Sequence, residues 1–301
     1  MNAQTKMAIV AIVVVIPLTS VVVYGTNTNQ EFTSNDNSKL QAISSFNPLH
    51  EFSQIVGGEK IDVTLLVPVG VEPHDWEPTI KDVQQMHKSD FIIINGIGFE
   101  NWINDLNNTD YHGAIIDTSN GTLDILDEEN QAQHLGDPHI WLNPVYAKIQ
   151  VQNIAIAFSN LDPLNQEYYL SNAAKYIEQL ESLDLKIRTE LSECNSDFVA
   201  FHDAFSYFAD EYDLTQHTII SSNDSHGVVT AKTLEDVIST ATELDIKVIF
   251  SEETVDSRTS EIIANEIGAK VLVLSTLEVV SDGTYISKMT KNLENLKEAL
   301  C

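Results

Sequence analysis

Basic residues are scarce in this 301-residue chain, which has 16 Lys and Arg against 45 Asp and Glu. The net charge of −29 would repel nucleic acid and acidic lipid while keeping the protein soluble. A nucleic-acid partner is therefore excluded from the candidate functions. The acidity alone predicts no cation site, because net charge reports on solubility rather than on fold. With 43% hydrophobic residues, the chain can bury one large core or two medium ones.

Cysteine is nearly absent, since only Cys194 and the terminal Cys301 occur. Two cysteines so far apart are too few for a disulfide framework and too isolated for a cysteine metal cluster. They could pair in an oxidising compartment. The sequence leaves that pairing open because it does not give the Cα separation that a disulfide requires.

Charge is also missing from residues 7–24, an apolar run that follows Lys6. Its length lies between that of a long signal-peptide core and that of a short membrane-spanning helix. We expect residues 1–25 to be a signal peptide or an N-terminal membrane anchor, and residues 26–38 to be a polar tether. Either alternative directs the rest of the chain across the membrane. No cysteine follows the apolar run, so the sequence offers no thiol for a lipid anchor.

Short apolar segments recur along the chain, each followed by a longer stretch with helical spacing or polar residues. This alternation is typical of strand, crossover and parallel strand. The predicted strands are residues 40–45, 61–67, 91–95 and 114–117, and then residues 198–201, 218–220, 248–251 and 271–274. The pattern predicts an α/β protein with two lobes, residues 39–161 and 195–301. Each lobe is expected to hold a roughly four-stranded parallel sheet flanked by helices.

The segment between the two groups of strands lacks both glycine and proline from Leu164 to Glu193. Its apolar residues step by three and four, which places them on one helical face. Asp162 and Pro163 supply a candidate cap and a first-turn proline. We therefore predict one linking helix over residues 162–194, of which the stretch without glycine or proline, residues 164–193, would be about 45 Å long. A rigid helix of this length would limit hinge bending between the lobes.

Three histidines and one glutamate follow predicted strands. His74 and His139 come after the second and fourth strands of the first lobe, His202 ends the first strand of the second lobe, and Glu278 ends its last strand. Ligands of open parallel sheets bind beyond the carboxyl ends of the strands, so we expect these four side chains to converge on one crevice. Three imidazoles and one carboxylate form a four-coordinate site that suits Zn²⁺.

The same residues allow other interpretations. A histidine beside a proline-rich turn is often an ordinary hydrogen-bonded residue, and an acid near a helix start is favourable without a metal. Three histidines and an acid also describe a hydrolytic zinc site that holds a water. However, the sequence has no His-Glu-x-x-His motif, and Glu278 would fill the position that a substrate needs. We predict that the protein is not an enzyme and keep a zinc-dependent hydrolase as the alternative if water replaces Glu278.

Seven motifs follow one another along the chain: Ser45–Leu49, Ile55–Gly58, Pro73–Pro78, Asn95–Glu100, Asp137–Pro144, Phe201–Phe208 and Val248–Glu252. On these motifs the chain resembles the zinc- and manganese-specific class of ABC-transporter solute-binding proteins, from about residue 40 to residue 300. The resemblance implies two lobes bridged by a long helix, with metal held between them by His74, His139 and His202. The family's usual fourth ligand is an Asp, for which Glu278 is the best match. Glu252 is expected to support a ligand or to be the alternative ligand.

The resemblance also implies a function. We expect a monomer that captures a divalent metal outside the cytoplasmic membrane and delivers it to an ABC import permease and its ATPase. The three imidazoles favour Zn²⁺, with Mn²⁺ or iron as the alternative, because manganese prefers more oxygen ligands. Zinc-specific members often have an acidic loop rich in histidine before the second ligand. The equivalent residues 124–137 keep the acids but contain one histidine, His134. A surface adhesin or a metal buffer that never meets a transporter stays open as another function.

Overall fold

Two parallel β-sheets organise the chain in a computed structural model that describes residues 39–107, 109–123, 134, 136–220, 229–253 and 256–301. The first sheet has the order β2-β1-β3-β4, and the second has the order β6-β5-β7-β8. The strands are β1 Leu40–Ser44, β2 Ile61–Leu65, β3 Phe91–Ile94, β4 Ala114–Asp117, β5 Asp197–His202, β6 Thr215–Ile220, β7 Val248–Ser251 and β8 Lys270–Val273. All pairings are parallel. The predicted fold class is confirmed, although β6 begins three residues before its predicted start.

Helices follow the strands as the alternating pattern predicted. They are α1 Asn47–Gly57, α2 Ile80–Met86, α3 Ile103–Asn107, α4 Pro144–Leu161, α5 Gln166–Leu191, α6 Ser206–Glu211, α7 Ala231–Glu243, α8 Arg258–Ile267 and α9 Tyr285–Leu300. Local sequence explains where α4 begins. The side chain of Asn143 accepts a hydrogen bond from the Val145 N–H at 2.8 Å, and Pro144 occupies the first turn, where its missing N–H costs nothing.

The linking helix α5 spans 26 residues, or about 39 Å, and joins the two lobes. It is shorter than predicted because Pro163–Asn165 form a 3-10 turn before it. Asp162 does not cap this turn; its carboxylate instead accepts hydrogen bonds from Tyr169 and Asn165 at 2.7 and 2.6 Å. The buried face of α5 is the one that the spacing predicted: Tyr169, Ala173, Tyr176, Leu180, Leu183, Ile187 and Leu191.

One hydrophobic core extends from the first sheet to the second. Its buried members include Phe46 and Trp141 beside the first sheet, the inner face of α5, and Phe250 and Tyr285 beside the second. Smaller clusters lie on the outer faces, around Ile92 in the first lobe and around the strand residues of the second. Because the lobes share one core, a large separation of the lobes would expose apolar surface to water.

The two cysteines are paired. The Cys194–Cys301 disulfide has a Cα–Cα distance of 4.7 Å and connects the end of α5 to the end of α9. The Asn195 N–H donates to the Leu300 carbonyl at 3.0 Å beside it, and Lys297 pairs with Glu190 at 2.7 Å. The pairing that the sequence left open is therefore present in the fold.

The predicted signal peptide or anchor at residues 1–25 and the predicted tether at residues 26–38 lie outside the described residues. Among the residues that the structure does describe, no helix is both long enough and apolar enough to span a bilayer.

Candidate metal centre

The four predicted ligands come from four different segments. His74 lies in the loop after β2, and His139 lies immediately before the 3-10 turn Ile140–Leu142. His202 is the last residue of β5, the strand that pairs with both β6 and β7. Glu278 lies five residues beyond β8, so the prediction that it ends a strand is wrong. The chain turns there because Leu277 adopts a left-handed conformation with φ of 61°, which ends extended backbone.

These four side chains meet at one point. One ligand atom from each lies within 4.8 Å of the ligand atoms of all the others. His139 Nε2 is 3.1 Å from His74 Nε2, 3.3 Å from His202 Nε2 and 3.5 Å from Glu278 Oε1. His74 Nε2 is 3.3 Å from the same Glu278 oxygen. His139, His202 and Glu278 are buried, and His74 is partly exposed at the edge of the group.

Carboxylates behind two of the imidazoles determine which nitrogen faces the centre. His139 Nδ1 lies 2.7 Å from Asp137 Oδ1, and His202 Nδ1 lies 2.6 Å from Glu252 Oε1. An ionised carboxylate can only accept, so each Nδ1 carries the donated proton. In the neutral imidazoles the Nε2 lone pairs then point towards each other and towards the Glu278 carboxylate. Only a cation or extra protons can relieve the repulsion among these electron-rich atoms.

The separations match the size of a tetrahedral zinc site. Zinc bonds of about 2.0–2.1 Å at tetrahedral angles place neighbouring donors about 3.3–3.4 Å apart. The four closest separations here run from 3.1 to 3.5 Å. The other two donor pairs are farther apart, within 4.8 Å. The cluster therefore has the donor types of a four-coordinate zinc centre, and four of its six donor separations match the dimensions of one.

The charges of the cluster perturb its protonation. Burial alone would raise the pKa of Glu278, but its hydrogen bond to His74 and the nearby histidine charges lower that pKa to about 2. Burial would lower the pKa of His202, but the hydrogen bond and charge of Glu252 outweigh it and raise the pKa to about 9. The pKa of His74 is raised as well, because contact with Glu278 outweighs burial. Without a metal the His202 imidazole therefore holds a second proton at neutral pH, which a metal must displace.

Two acids near the centre were not identified as site residues from the sequence. Asp137 accepts the His139 N–H at 3.0 Å as well as its ring proton, and its other oxygen accepts from Ser206. Glu72 accepts the His74 N–H at 3.3 Å, and burial together with the charge of Glu278 raises the pKa of Glu72 to about 7. The position of Asp137 two residues before a predicted ligand was the available signal. Glu72 had no comparable signal.

Aromatic rings line the first-lobe side of the centre. Phe99 meets the His74 ring edge-on at 4.9 Å, and Trp141 lies 5.1 Å from the His139 ring. Phe99 and Trp141 also contact each other at 5.1 Å. These apolar neighbours keep water from the imidazoles and lower the local dielectric, which strengthens electrostatic attraction to a bound cation.

The remaining histidines have other surroundings where they are described. His134 is buried, stacks on Tyr207 at 4.1 Å and contacts Asp210 at 2.7 Å. Within the acidic stretch of residues 124–137 it is therefore a packed residue, whereas residues 124–133 and 135 lie outside the described part. His217 pairs with Asp197 at 2.9 Å, at the far end of β5 from His202. His226 also lies outside the described residues.

Comparison with known proteins gives one family. The sequence model of one protein family, the periplasmic zinc-uptake complex component A, matches residues 43–299 of this chain. The chain is 34% identical over 296 residues to the high-affinity zinc uptake system protein ZnuA of Bacillus subtilis (strain 168), covering 92% of each chain. It is also 30% identical to the zinc-binding protein AdcA of a Streptococcus pyogenes strain, and that match spans 56% of the longer relative.

Solved structures agree with the sequence matches. The Zn(II)-bound ZnuA-like domain of Streptococcus pneumoniae AdcA has a TM-score of 0.76 at 32% identity, with 87% of this chain and 99% of that domain covered. The laminin-binding protein of Streptococcus agalactiae, described as bifunctional in adhesion and metal transport, has a TM-score of 0.78 at 28% identity, with 86% and 99% covered. The fold and the sequence thus point to the same group of proteins.

Proposed function

Since this chain belongs to the family of the zinc-uptake complex component A, we propose that it binds one zinc ion between its lobes and delivers it to an ABC importer. His74, His139, His202 and Glu278 are the proposed ligands. The observation that carries the proposal is the convergence of the four donors within 4.8 Å, with four of their six separations at 3.1 to 3.5 Å, which suits tetrahedral zinc. Zinc is the cargo of this protein rather than a resident cofactor.

The donor set favours zinc over manganese and iron. Three imidazoles and one carboxylate provide four donors, whereas Mn²⁺ prefers six donors with more oxygen. Asp137 and Glu252 raise the basicity of His139 and His202 and fix their orientation, as such carboxylates do at zinc sites. Glu252 therefore acts in this proposal through His202, and not as a ligand.

We propose a binding protein and not an enzyme. A catalytic zinc site keeps one coordination position for water or substrate. The proximity of Glu278 Oε1 to two of the imidazoles, 3.3 and 3.5 Å, supports a shell closed by protein atoms. This arrangement disfavours the hydrolase alternative, which required that Glu278 stay out of the shell.

The proposed partners and location follow from the family. A binding protein of a zinc-uptake complex works with a membrane permease and its ATPase, and captures its ion outside the cytoplasmic membrane. We propose that residues 1–25 provide export or anchoring, and that one chain supplies the whole site. Residues 39–161 and 195–301 are the proposed lobes, and residues 162–194 are the proposed link.

Metal analysis of the purified protein tests this function. After removal of metal with a chelator and dialysis against an equimolar mixture of Zn²⁺, Mn²⁺ and Fe²⁺, we expect about one zinc per chain and little manganese or iron. The Glu278→Ala and His202→Ala variants should each retain less zinc than the wild type. Preferential retention of manganese would contradict the proposed cargo, and unchanged zinc in both variants would contradict the proposed ligands.

A further inference from the structure

The backbone just before Glu278 is held by side chains of the first lobe. The indole N–H of Trp141 donates to the Thr276 carbonyl at 2.8 Å. The amide of Asn47, in the first turn of α1, donates to the Leu277 carbonyl at 2.9 Å. The two peptide units that precede the proposed fourth ligand are therefore hydrogen-bonded to side chains of the lobe that carries His74 and His139.

The second lobe holds the beginning of the same loop, and the first lobe holds its end. Asn292 of α9 accepts the Ser275 N–H at 2.8 Å and donates to the Ser275 carbonyl at 2.7 Å. After the loop, Glu51 of α1 accepts the Tyr285 N–H with both oxygens, at 2.9 and 2.8 Å, and the Tyr285 hydroxyl donates to the Trp141 carbonyl at 2.7 Å. The segment from residue 275 to residue 285 is thus hydrogen-bonded to both lobes.

The conformation of this loop needs such support. Leu277 is buried and has φ of 61°, a left-handed conformation that is unfavourable for a side chain with a Cβ and persists where surrounding contacts impose it. The hydrogen bond from Asn47 acts on the carbonyl of this same residue. Loss of that bond would let Leu277 relax towards ordinary backbone angles, which would turn the next residue, Glu278, away from the imidazoles.

We infer that Asn47 and Trp141 are positioning residues for Glu278. Side chains of the first lobe thus orient the proposed ligand Glu278, which belongs to the second lobe. The inference rests on the proposed ligation by Glu278. It also implies that Glu278 keeps its place by direct protein contacts, and that ion release requires this loop to loosen. Asn47 provides the cleaner test, because Trp141 also contacts the His139 ring.

The test is a double-mutant cycle in zinc affinity, measured on the full chain by competition with a zinc chelator. Asn47→Ala should weaken zinc binding about tenfold, the effect of losing one hydrogen bond that acts on a ligand. Glu278→Ala should weaken it about a hundredfold or more. In the Glu278→Ala background, Asn47→Ala should change the affinity by less than about twofold, because its effect passes through the missing carboxylate.

Two further variants test whether the loss of zinc affinity reflects a general loss of structure. Asn47→Asp keeps the shape but cannot donate to the Leu277 carbonyl, and an acid suits the first turn of a helix, so it should fold and still weaken zinc binding. Asn172→Ala removes a similar amide-to-carbonyl bond, to Val56 at 3.2 Å and away from the centre, and should bind zinc like the wild type.

The outcomes separate the two proposals. If Glu278→Ala binds zinc as the wild type does, the ligand assignment fails. If Glu278→Ala is weak while both Asn47 variants bind normally, only the positioning role fails. If Asn47→Ala lowers zinc affinity equally in the wild-type and Glu278→Ala backgrounds, the positioning role also fails, and Asn47 has a general structural effect instead.

Discussion

Substitution of Glu252 tests quantitatively how the charge of this carboxylate affects zinc binding by the proposed ligand His202. One oxygen of its carboxylate accepts both the backbone N–H of His202 at 3.1 Å and the ring Nδ1–H at 2.6 Å. Glu252→Gln keeps an acceptor oxygen and nearly the same shape, but removes the negative charge. The substitution therefore isolates the charge of Glu252 from its packing.

Two opposing effects determine the result at each pH. In the wild type the pKa of His202 is about 9, so at pH 7, two units below that pKa, displacement of its proton by zinc costs about 3 kcal/mol. Without the Glu252 charge the pKa of His202 falls, because burial is then opposed only by the charges of Glu278 and Glu72, and part of this competition disappears. Against that gain, loss of the supporting carboxylate weakens metal binding by about 10- to 100-fold. The two effects are similar in size near pH 7, and only the loss remains above pH 9.

We therefore expect the ratio of the Glu252→Gln and wild-type zinc dissociation constants to grow with pH. It should lie within about tenfold of unity at pH 7 and reach about 10- to 100-fold at pH 9 and above. Zinc-buffered competition titrations at both pH values measure this ratio. Asp197→Asn is the matched control, because Asp197 pairs with His217 at 2.9 Å outside the centre, and it should bind zinc normally. A ratio that is constant, or largest at low pH, would refute the reasoning.

Three further predictions concern the whole site and the fold. His139→Ala should weaken zinc binding by at least about a hundredfold in the same titration, because its Nε2 lies within 3.5 Å of the other three donors; near-wild-type affinity would remove His139 from the ligand set. The wild-type affinity should rise at least about tenfold per pH unit between pH 6 and 8 and level off near pH 9, since below the raised pKa of His202 zinc must expel its proton, and at the lower end that of His74 as well; a curve that is flat above pH 7 would contradict this. Cys301→Ser should lower the free energy of unfolding by about 2–4 kcal/mol in denaturant titrations, because it opens a loop of 107 residues, while zinc affinity stays within about twofold; unchanged stability would show that the disulfide does not constrain the unfolded chain.

Much of the site could be predicted because its residues follow a topological rule. His139 and His202 come after strands whose carboxyl ends face the same crevice, and proline-flanked His74 comes after another. The parallel direction of the strands follows from the alternation of short apolar and helical segments, which the sequence displays directly. Glu278 was identified for the same reason, although it lies on a loop beyond β8 and not at the end of a strand.

Features that depend on contacts between distant segments could not be predicted in this way. The roles of Asp137 and Glu252 required the distances to the imidazole Nδ1 atoms, and the raised pKa of His202 depends on the resulting balance of burial and charge. The left-handed Leu277 accepts a hydrogen bond at its carbonyl from Asn47, which lies 230 residues away in the sequence.

The sequence by itself determined the α/β class and the long helix, because periodicity is a local property of the chain, and it predicted the four candidate ligand side chains that the structure brings together. Only the tertiary structure decided that the lobes share one core, that Cys194 reaches Cys301, and that the first lobe holds the loop of Glu278. Those features arise from packing and hydrogen bonding between segments far apart in sequence, for which no local pattern carries a signal.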